Sequence, residues 1–545
     1  MTVESDCDQQ RQAEHRRFFA AAKLIAGITL LSRVAGLARD MILARFLGAS
    51  GGTSNFYLAF RIPNIFRRLF GEGALAAAFV PVFSETREVS GRDGAAALLA
   101  NVLGWLTALL AGLFVAIELT LLAVAWRAPV GGDLEMICTF AAIMMPFMVT
   151  ICLLALGSAA LNCFGHFAYP AAAPILLNLC IITGAAVVAP MWEHGHARLT
   201  VIAVSVVVAG GLQLAGVVWL LRAHRLLRRP NLRPLLPGVR KIATHMGPML
   251  IPLGLLQINA LADGVIARYF GGSDASTTVT VLGREVAKPL AAAAATWMHF
   301  GERLYQFPLG VLAISLATAV FPLFSRYAAR GDMASLRTSV NRALRLAVFE
   351  GLPAGVGLIL LAGPLVALIF EGRRFSAHDA AETAHLVRLY GLGIWAFCAQ
   401  HIILRAYFAL GDRMTPLKVA CSVVLLNLAL NLALIWAPAI RHGAFGLSSS
   451  ITSALNVVIL TALLRRRLGR LGGGALAVSV GRIALATAAM AAAVWLTQHW
   501  IAPRAGRLVG VAACVVAGAG VFAGTAALLQ APELGELLAR GRGRA

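Results

Sequence analysis

The sequence predicts an all-α membrane protein that crosses the bilayer about fourteen times. Its 545 residues are 59% hydrophobic but only 13% charged, with a mean hydropathy of +0.79. Soluble domains have about 25% charged residues. Apolar runs of about 18 or more residues, the length that a membrane-spanning helix needs, recur along the whole chain. The period-two alternation that is typical of a transmembrane β-barrel is absent.

Fourteen spans follow from these apolar runs. They lie at 22–48, 53–83, 96–126, 134–163, 170–190, 198–221, 244–270, 291–325, 341–370, 381–410, 414–436, 443–464, 475–499 and 506–530. Basic residues concentrate in alternate loops, as in 222–241 and 465–470. The positive-inside rule therefore predicts a protein with both termini in the cytoplasm. The polar start of the chain predicts no cleavable signal peptide.

The net charge of +22 is explained by these loops rather than by a nucleic-acid partner. No basic run carries the interleaved aromatic residues of a single-strand binding groove, so we expect no nucleic acid. No loop is long enough for a catalytic domain, and no Walker A motif is present. The sequence therefore favours a transporter over an enzyme such as a polyprenyl glycosyltransferase.

An internal repeat predicts two parallel halves. AAAFVPVFSE at 76–85 matches ATAVFPLFSR at 317–326, ALNCFGHFAYP at 160–170 matches AYFALGDRMTP at 406–416, and LLNL recurs at 176–179 and 425–428. Six spans separate the members of each pair, so both halves have the same orientation. Parallel repeats of this kind are typical of alternating-access transporters.

The repeat and the spans together define the predicted segments. These are a cytoplasmic tail at 1–21, an N-lobe at 22–221, a basic linker at 222–243, a C-lobe at 244–464, two further helices at 475–530 and a second cytoplasmic tail at 531–545.

The stretch 32–85 carries ionisable residues in a membrane-grade apolar background. They are Arg33, Arg39, Asp40, Arg45, Arg61, Arg67, Arg68 and Glu72. Each Arg near the bilayer centre costs about 2.5–3.5 kcal/mol on insertion scales. The deeper ones are therefore expected to face a water-filled cavity and to meet an anion there.

Glu302 and Arg303 form a second ionisable pair inside the apolar run 291–325. Cations from both halves suit a diphosphate, because guanidinium groups bind phosphate oxygens in a bidentate manner. Salt bridges within the membrane, such as Arg68 with Glu72 at i,i+4, are the alternative explanation.

Four segments of the chain resemble the MurJ (MviN) lipid II flippase family of the MOP exporter superfamily. They are SRVAGLARD, FRIPNIFRRLFGEGALAAAFVPVFSE, ERLYQFPLGVLAISLATAVFPLFS and EGLPAGVGLILLAGPLVALIFEGRRFS. The resemblance covers about residues 22–530. It implies fourteen helices in two lobes around a V-shaped cavity, with the last two helices forming a groove for a polyprenyl tail.

The resemblance also implies which residues act. By position, the residues that bind the diphosphate and headgroup are Arg33, Arg39, Arg67 and Arg303. The supporting cavity or gate residues are Asp40, Ser54, Asn55, Arg68, Glu72 and Glu302. This chain departs from the family at Ser54, which stands where an acidic residue is usual early in span two and is followed by Asn55. Glu302 replaces the more usual Asp. Residues 272–290 look like an insertion between spans seven and eight.

The resemblance also implies a cation site like that of some relatives, in which span seven supplies an Asp and span eleven supplies polar residues. Asp263 lies in span seven here, and Asn427 and Asn431 lie at i,i+4 in span eleven. Oxygen ligands of this kind suit Na⁺ or a proton relay. A polar packing cluster is an equally good explanation. We expect no cofactor, and coupling to Na⁺, H⁺ or the membrane potential.

The resemblance therefore predicts a monomeric flippase of the inner membrane that moves lipid II, the undecaprenyl-diphosphate-linked peptidoglycan precursor, to the outer leaflet. Membrane lipids and the cell-wall synthesis machinery are the expected partners. Export of another polyprenyl-diphosphate-linked oligosaccharide stays open, because the diphosphate is common to such lipids. A cationic drug exporter should carry carboxylates in its cavity instead of arginines.

Overall fold

The computed structural model describes residues 27–71, 74–232, 235–272, 277–281, 283–469 and 473–541. Eighteen α-helices make up most of these residues. In chain order they are α1 (27–47), α2 (Gly51–Phe66), α3 (Ala74–Arg127), α4 (Asp133–Met144), α5 (Pro146–Cys163), α6 (Ala168–Thr183), α7 (Gly195–Ala223), α8 (Pro237–Tyr269), α9 (Ala294–Val311), α10 (Ala313–Ala329), α11 (Met333–Ile369), α12 (Ala377–Gly391), α13 (Ile394–Ala409), α14 (Met414–Leu434), α15 (Ala444–Leu468), α16 (Gly473–Trp500), α17 (Arg507–Leu528) and α18 (Pro532–Gly541).

This architecture confirms the predicted class, an all-α protein with many membrane spans. In the described residues, every predicted span overlaps one helix or consecutive helical segments. By length and composition, ten helices in the described part of the chain can cross a bilayer, or up to eleven if α12 and α13, bent by 46°, form one span.

Beyond the bent pair, three predicted spans are not counted separately, and one of them lies in α8 (Pro237–Tyr269), which is not among the ten. The other two have visible reasons. The segment Gly51–Arg127 counts once although it holds two predicted spans, 53–83 and 96–126. Those two spans meet at a kink in α3, where Gly91 has a φ of 65°. The helix α1 is not apolar enough to be counted, because it carries Arg33, Arg39, Asp40 and Arg45 within 21 residues.

Packing between the helices divides the chain into two units, Met1–Leu261 and Ala262–Ala545. In the first unit, α5 packs against α3 and α7, and α2 packs against α4. In the second unit, α11 packs against α12, α13 and α16, and α16 packs against α17. Fully buried aromatic side chains fill the core of each unit, for example Phe140 and Phe147 in the first and Phe324 and Tyr407 in the second.

The internal repeat appears in the backbone as a matched pair of helix ends. Gly165 ends α5 with a φ of 81°, and Gly411 ends α13 with a φ of 74°. The next residue in each case donates to a carbonyl five residues back, His166 to Leu161 at 3.0 Å and Asp412 to Tyr407 at 3.0 Å. Glycine is favoured at this C-terminal position because it adopts positive φ without a steric penalty.

The predicted insertion at 272–290 contains a β-hairpin that the sequence analysis did not identify. Strands β1 (Thr278–Val281) and β2 (Arg284–Ala287) pair in antiparallel register. The amide of Gly272 donates to the carbonyl of Leu290 at 2.8 Å and closes the hairpin at its base. Four-residue strands are too short to show a reliable alternation, which is why the sequence indicated only a loop.

We expect Gly411→Ala to lower the free energy of unfolding by about 1–2 kcal/mol, because a residue with a Cβ is strained in the left-handed region. Gly357→Ala in α11 is the matched control, since no heavy atom lies within 4 Å of the position that its Cβ would take. It should leave stability unchanged or raise it slightly. Thermal unfolding of the detergent-solubilised protein measures both, and equal losses in the two variants would contradict the argument.

Candidate functional site

The predicted pair Arg39 and Asp40 is buried in the first unit, with 8% and 2% of each residue exposed. The guanidinium donates to Asp40 Oδ1 from Nε at 2.9 Å and from Nη2 at 2.6 Å. Its Nη1 donates to Asn178 Oδ1 of α6 at 3.1 Å. A buried ion pair of this kind is tolerated only when such hydrogen bonds offset the cost of desolvation. The predicted contact of Arg39 with a headgroup stays a prediction.

Arg33 lies two turns before Asp40 on α1 and has an exposed side chain. The neighbouring Leu30 and Val34 are also exposed, by 63% and 56%. The arginines of α1 therefore differ in their surroundings. Arg33, in the first half of the helix, lies on an accessible surface, and Arg39, in its middle, is held in an internal pair.

A break in helix geometry sets the positions of Arg67 and Arg68. Pro63 lies inside α2, and the chain continues from α2 into a π-helical turn at Arg67–Gly71. Such turns are rare and are frequently found at functional sites. Arg67 Nε donates to Asn64 Oδ1 at 3.0 Å, and Arg68 Nη1 donates to Gln257 Oε1 at 3.4 Å.

Arg61 and Glu72 are the other ionisable residues that the sequence places in this region. Arg61 Nη1 donates to the carbonyl of Ala260 at 2.5 Å. Glu72 lies outside the described residues, so the alternative salt bridge between Arg68 and Glu72 stays a prediction.

The position where an acidic residue is usual lies at the start of α2. Ser54 and Asn55 are both buried there. The amide of Asn55 donates from Nδ2 to Asp133 Oδ1 of α4 at 2.9 Å. A carboxylate therefore does lie at this place, but α4 supplies it. No sequence signal links residues 78 positions apart on different helices, so the analysis missed Asp133.

In the second unit, α9 carries Glu302 and Arg303, both half-buried. Two residues further along the same helix, Tyr305 stacks on Tyr390 and Phe397, with ring centroids 4.4 Å and 5.4 Å away. These aromatic contacts fix the middle of α9 against α12 and α13. The predicted pair is thereby held on a rigid helical surface.

The structure brings the three residues of the predicted cation site together. Asn431 Nδ2 donates to Asp263 Oδ1 at 2.7 Å and to Asn427 Oδ1 at 3.2 Å. Helix α15 adds two hydroxyl groups that the sequence analysis missed. Asn427 Nδ2 donates to Ser448 Oγ at 3.2 Å and to Thr452 Oγ1 at 3.3 Å.

All five residues of this cluster are at least nine-tenths buried. In the described part of the chain, no group of three or more His, Cys, Asp or Glu could hold a metal ion. The cluster offers one carboxylate with amide and hydroxyl oxygens. This donor set suits a weakly held hard cation better than a transition metal.

Comparison with known proteins shows to which family the chain belongs. The family model described as lipid II flippase MurJ matches residues 43–508. The chain belongs to this family. A lipid II flippase MurJ of Burkholderia cenocepacia is 31% identical, over 82% of this chain and 84% of that protein. A probable lipid II flippase MurJ of Rhizobium meliloti is 32% identical, over 88% and 86%.

Solved structures agree on the fold of this MurJ family member. A lipid II flippase MurJ in an inward closed conformation matches with a TM-score of 0.73 and 20% identity, over 93% of this chain and 98% of that chain. An inward-facing multidrug resistance MATE transporter of the MOP superfamily matches at 0.64 and 12%, over 83% and 98%. The predicted family is therefore confirmed by the family model and the relatives, and the solved structures agree with the predicted fold.

We expect Asn55→Asp to destabilise the protein by about 1–3 kcal/mol, because it replaces a buried donor by a second carboxylate facing Asp133. Adding Asp133→Asn should restore most of this loss, since the donor and the acceptor are then exchanged. Thermal unfolding of the single and double variants measures the coupling. Additive losses in the double variant would show that the two side chains do not depend on each other.

Proposed function

We propose that this chain is a lipid II flippase, which moves the undecaprenyl-diphosphate-linked peptidoglycan precursor from the inner to the outer leaflet of the cytoplasmic membrane by alternating access. The observation that carries the proposal is the MurJ family match over residues 43–508. It falls on a chain whose helices are long and apolar enough to cross a membrane many times. The relatives from Burkholderia cenocepacia and Rhizobium meliloti are named lipid II flippase MurJ and probable lipid II flippase MurJ.

The headgroup needs cations that are accessible. Arg33 is exposed, and Arg67 and Arg303 are half-buried, so we assign the diphosphate to these three. Charge-assisted hydrogen bonds from guanidinium to phosphate are about twice as strong as neutral ones, and they strengthen in a low-dielectric site. Asp40, Ser54, Asn55, Arg68, Glu72 and Glu302 form the supporting set in this proposal.

Transport requires a difference in affinity between two states. A headgroup that binds both states equally shifts neither population. The membrane potential can act on the arginines when the headgroup has left, at about 2.3 kcal/mol per charge per 100 mV. A cation at the Asp263 cluster is a second source of coupling.

The remaining assignments follow from the same proposal. The protein acts as a transporter rather than a catalyst, in the inner membrane, with both termini in the cytoplasm. It acts as a monomer, with lipid II and membrane lipids as its partners, alongside the cell-wall synthesis machinery. The positive-inside bias of the loops supports this orientation.

We expect Arg33→Gln and Arg303→Gln each to lower lipid II transport about 10- to 100-fold, because each loses a charge-assisted hydrogen bond of about 1.5–3 kcal/mol. The measurement is lipid II translocation in vesicles, together with rescue of a flippase-depleted bacterium at equal membrane abundance. Arg45→Gln, on an exposed part of α1, is the matched control. An equal loss in the control would show a general charge effect instead of a headgroup contact.

We expect Na⁺, compared with choline, to raise the unfolding temperature of the parent protein, because a ligand that binds only the folded state stabilises it. Asp263→Asn should abolish this response. Asp332→Asn is the control: Asp332 caps α11 by accepting from the amide of Ser335 at 2.9 Å, and Asn is an equally good cap. A parent protein that responds equally to both salts would favour the polar packing explanation.

A further inference from the structure

Two histidines stack on each other at one end of the first unit. His166 follows Gly165 at the end of α5, and His224 follows the last residue of α7. Their ring centroids are 3.8 Å apart, and the ring planes are inclined by 26°. Because α5 and α7 pack against each other, this stack connects the ends of two neighbouring helices. In the orientation proposed above, these ends face the cytoplasm.

The second unit makes the corresponding connection with an ion pair. The repeat of 160–170 in 406–416 aligns His166 with Asp412. Arg467, in the last turn of α15, donates from Nη2 to Asp412 Oδ2 at 2.8 Å. Helices α13 and α15 pack against each other as α5 and α7 do. A carboxylate and a guanidinium both stay charged between pH 5 and 8, whereas imidazole titrates within this range.

Positive charges surround the histidine stack. Arg92, next to the kink in α3, donates from Nη2 to the carbonyl of His224. The guanidinium groups of Arg87 and Arg92 lie 5.3 Å and 5.8 Å from the centre of the Phe164 ring, two residues before His166.

Arginines outnumber carboxylates among the charged and titratable groups of the neighbouring elements. One carboxylate, Asp93, already accepts from Arg228. The full set is Arg87, Glu88, Arg92 and Asp93 on α3, Cys163 on α5, Tyr169 on α6, and Arg222, Arg225 and Arg228 at and after the end of α7. The surroundings of the stack therefore oppose the uptake of protons.

This environment acts on His166 in one direction. Burial, the neighbouring His224 and Arg92 together lower the pKa of His166 below its ordinary value of 6.5. Two protonated rings at 3.8 Å would also repel each other. The stacked state therefore binds fewer protons than a state in which the two helix ends have separated. Its stability is complete above pH 6.5 and is lost as the pH falls below that value.

We propose that the stack of His166 on His224 is an acid-sensitive joint, which holds the ends of α5 and α7 together at neutral pH and releases them when the pH on that side of the membrane falls below about 6.5. The pair of Asp412 and Arg467 keeps the corresponding ends of α13 and α15 together over the same range. Acid thus loosens the first unit and leaves the second unchanged. The proposal goes beyond flippase activity and does not depend on it.

The test is amide hydrogen exchange of the detergent-solubilised full-length protein at pH 7.5 and 5.5, corrected for the intrinsic effect of pH on exchange. The reporters are the amides of His166 and Leu226, which both donate to carbonyls five residues back. We expect their protection to fall about tenfold at pH 5.5, because one imidazole with a suppressed pKa contributes up to about a factor of ten per pH unit below 6.5. The amide of Asp412, bonded in the same way, should keep its protection.

A variant that stacks without titrating separates the proton from the packing. His166→Phe keeps an aromatic ring against His224, so its reporter amides should stay protected at pH 5.5. His196→Phe is the matched control. His196 belongs to the same unit and stacks on Phe140, with ring centroids 5.2 Å apart, so this variant should respond to acid as the parent does. An acid response that survives in His166→Phe would overturn the proposal.

A double variant replaces the joint by its counterpart. His166→Asp with His224→Arg gives the first unit the residue types that form the ion pair of the second, and we expect it to lose the acid response too. If neither variant folds, the parent protein decides. Unchanged protection of the amides of His166 and Leu226 at pH 5.5, or an equal fall at Asp412, would overturn the proposal. None of these measurements uses lipid II, so a failure here is separate from a failure of the flippase assignment.

Discussion

The structure depends on one physical constraint, and the ion pair between Arg39 and Asp40 is an example of how the chain satisfies it. A charge at membrane depth is stable only if a partner offsets its desolvation. Several such groups have a partner within the described residues. Arg39 is held by Asp40 and Asn178, Arg61 by a backbone carbonyl of α8, and Asp263 by Asn431.

The apolar runs and the charge of the loops were enough to predict the fold class. This is because the apolar segments of a polytopic helical protein mark the parts of the chain that lie in the bilayer. The order of the helices and the internal repeat could both be obtained from the chain. Helix irregularities could not. The π-helical turn at Arg67–Gly71 and the hairpin at β1 and β2 depend on local backbone geometry, for which hydropathy carries no signal.

Only some residues of the candidate sites could be predicted from the sequence, because the others contact residues that are distant along the chain. Asp263, Asn427 and Asn431 were predicted as one cluster because their spacing and the family pattern agreed, and they do meet. Ser448 and Thr452 were missed, since hydroxyl residues inside helices usually bond to their own backbone, as Thr452 also does to the carbonyl of Ser448. The partner of Asn55 was missed for a different reason, because Asp133 lies 78 residues further along the chain on another helix.

The hairpin between α8 and α9 has a consequence for the evolution and engineering of this chain. Its base is closed by backbone hydrogen bonds, from Gly272 to Leu290 and from Lys288 to Thr277. The segment leaves and re-enters the helical framework at adjacent points, so its length is decoupled from the helices on either side. Such a segment is a permissive point, where a fluorescent tag or an affinity epitope can be placed while the neighbouring helices keep their register.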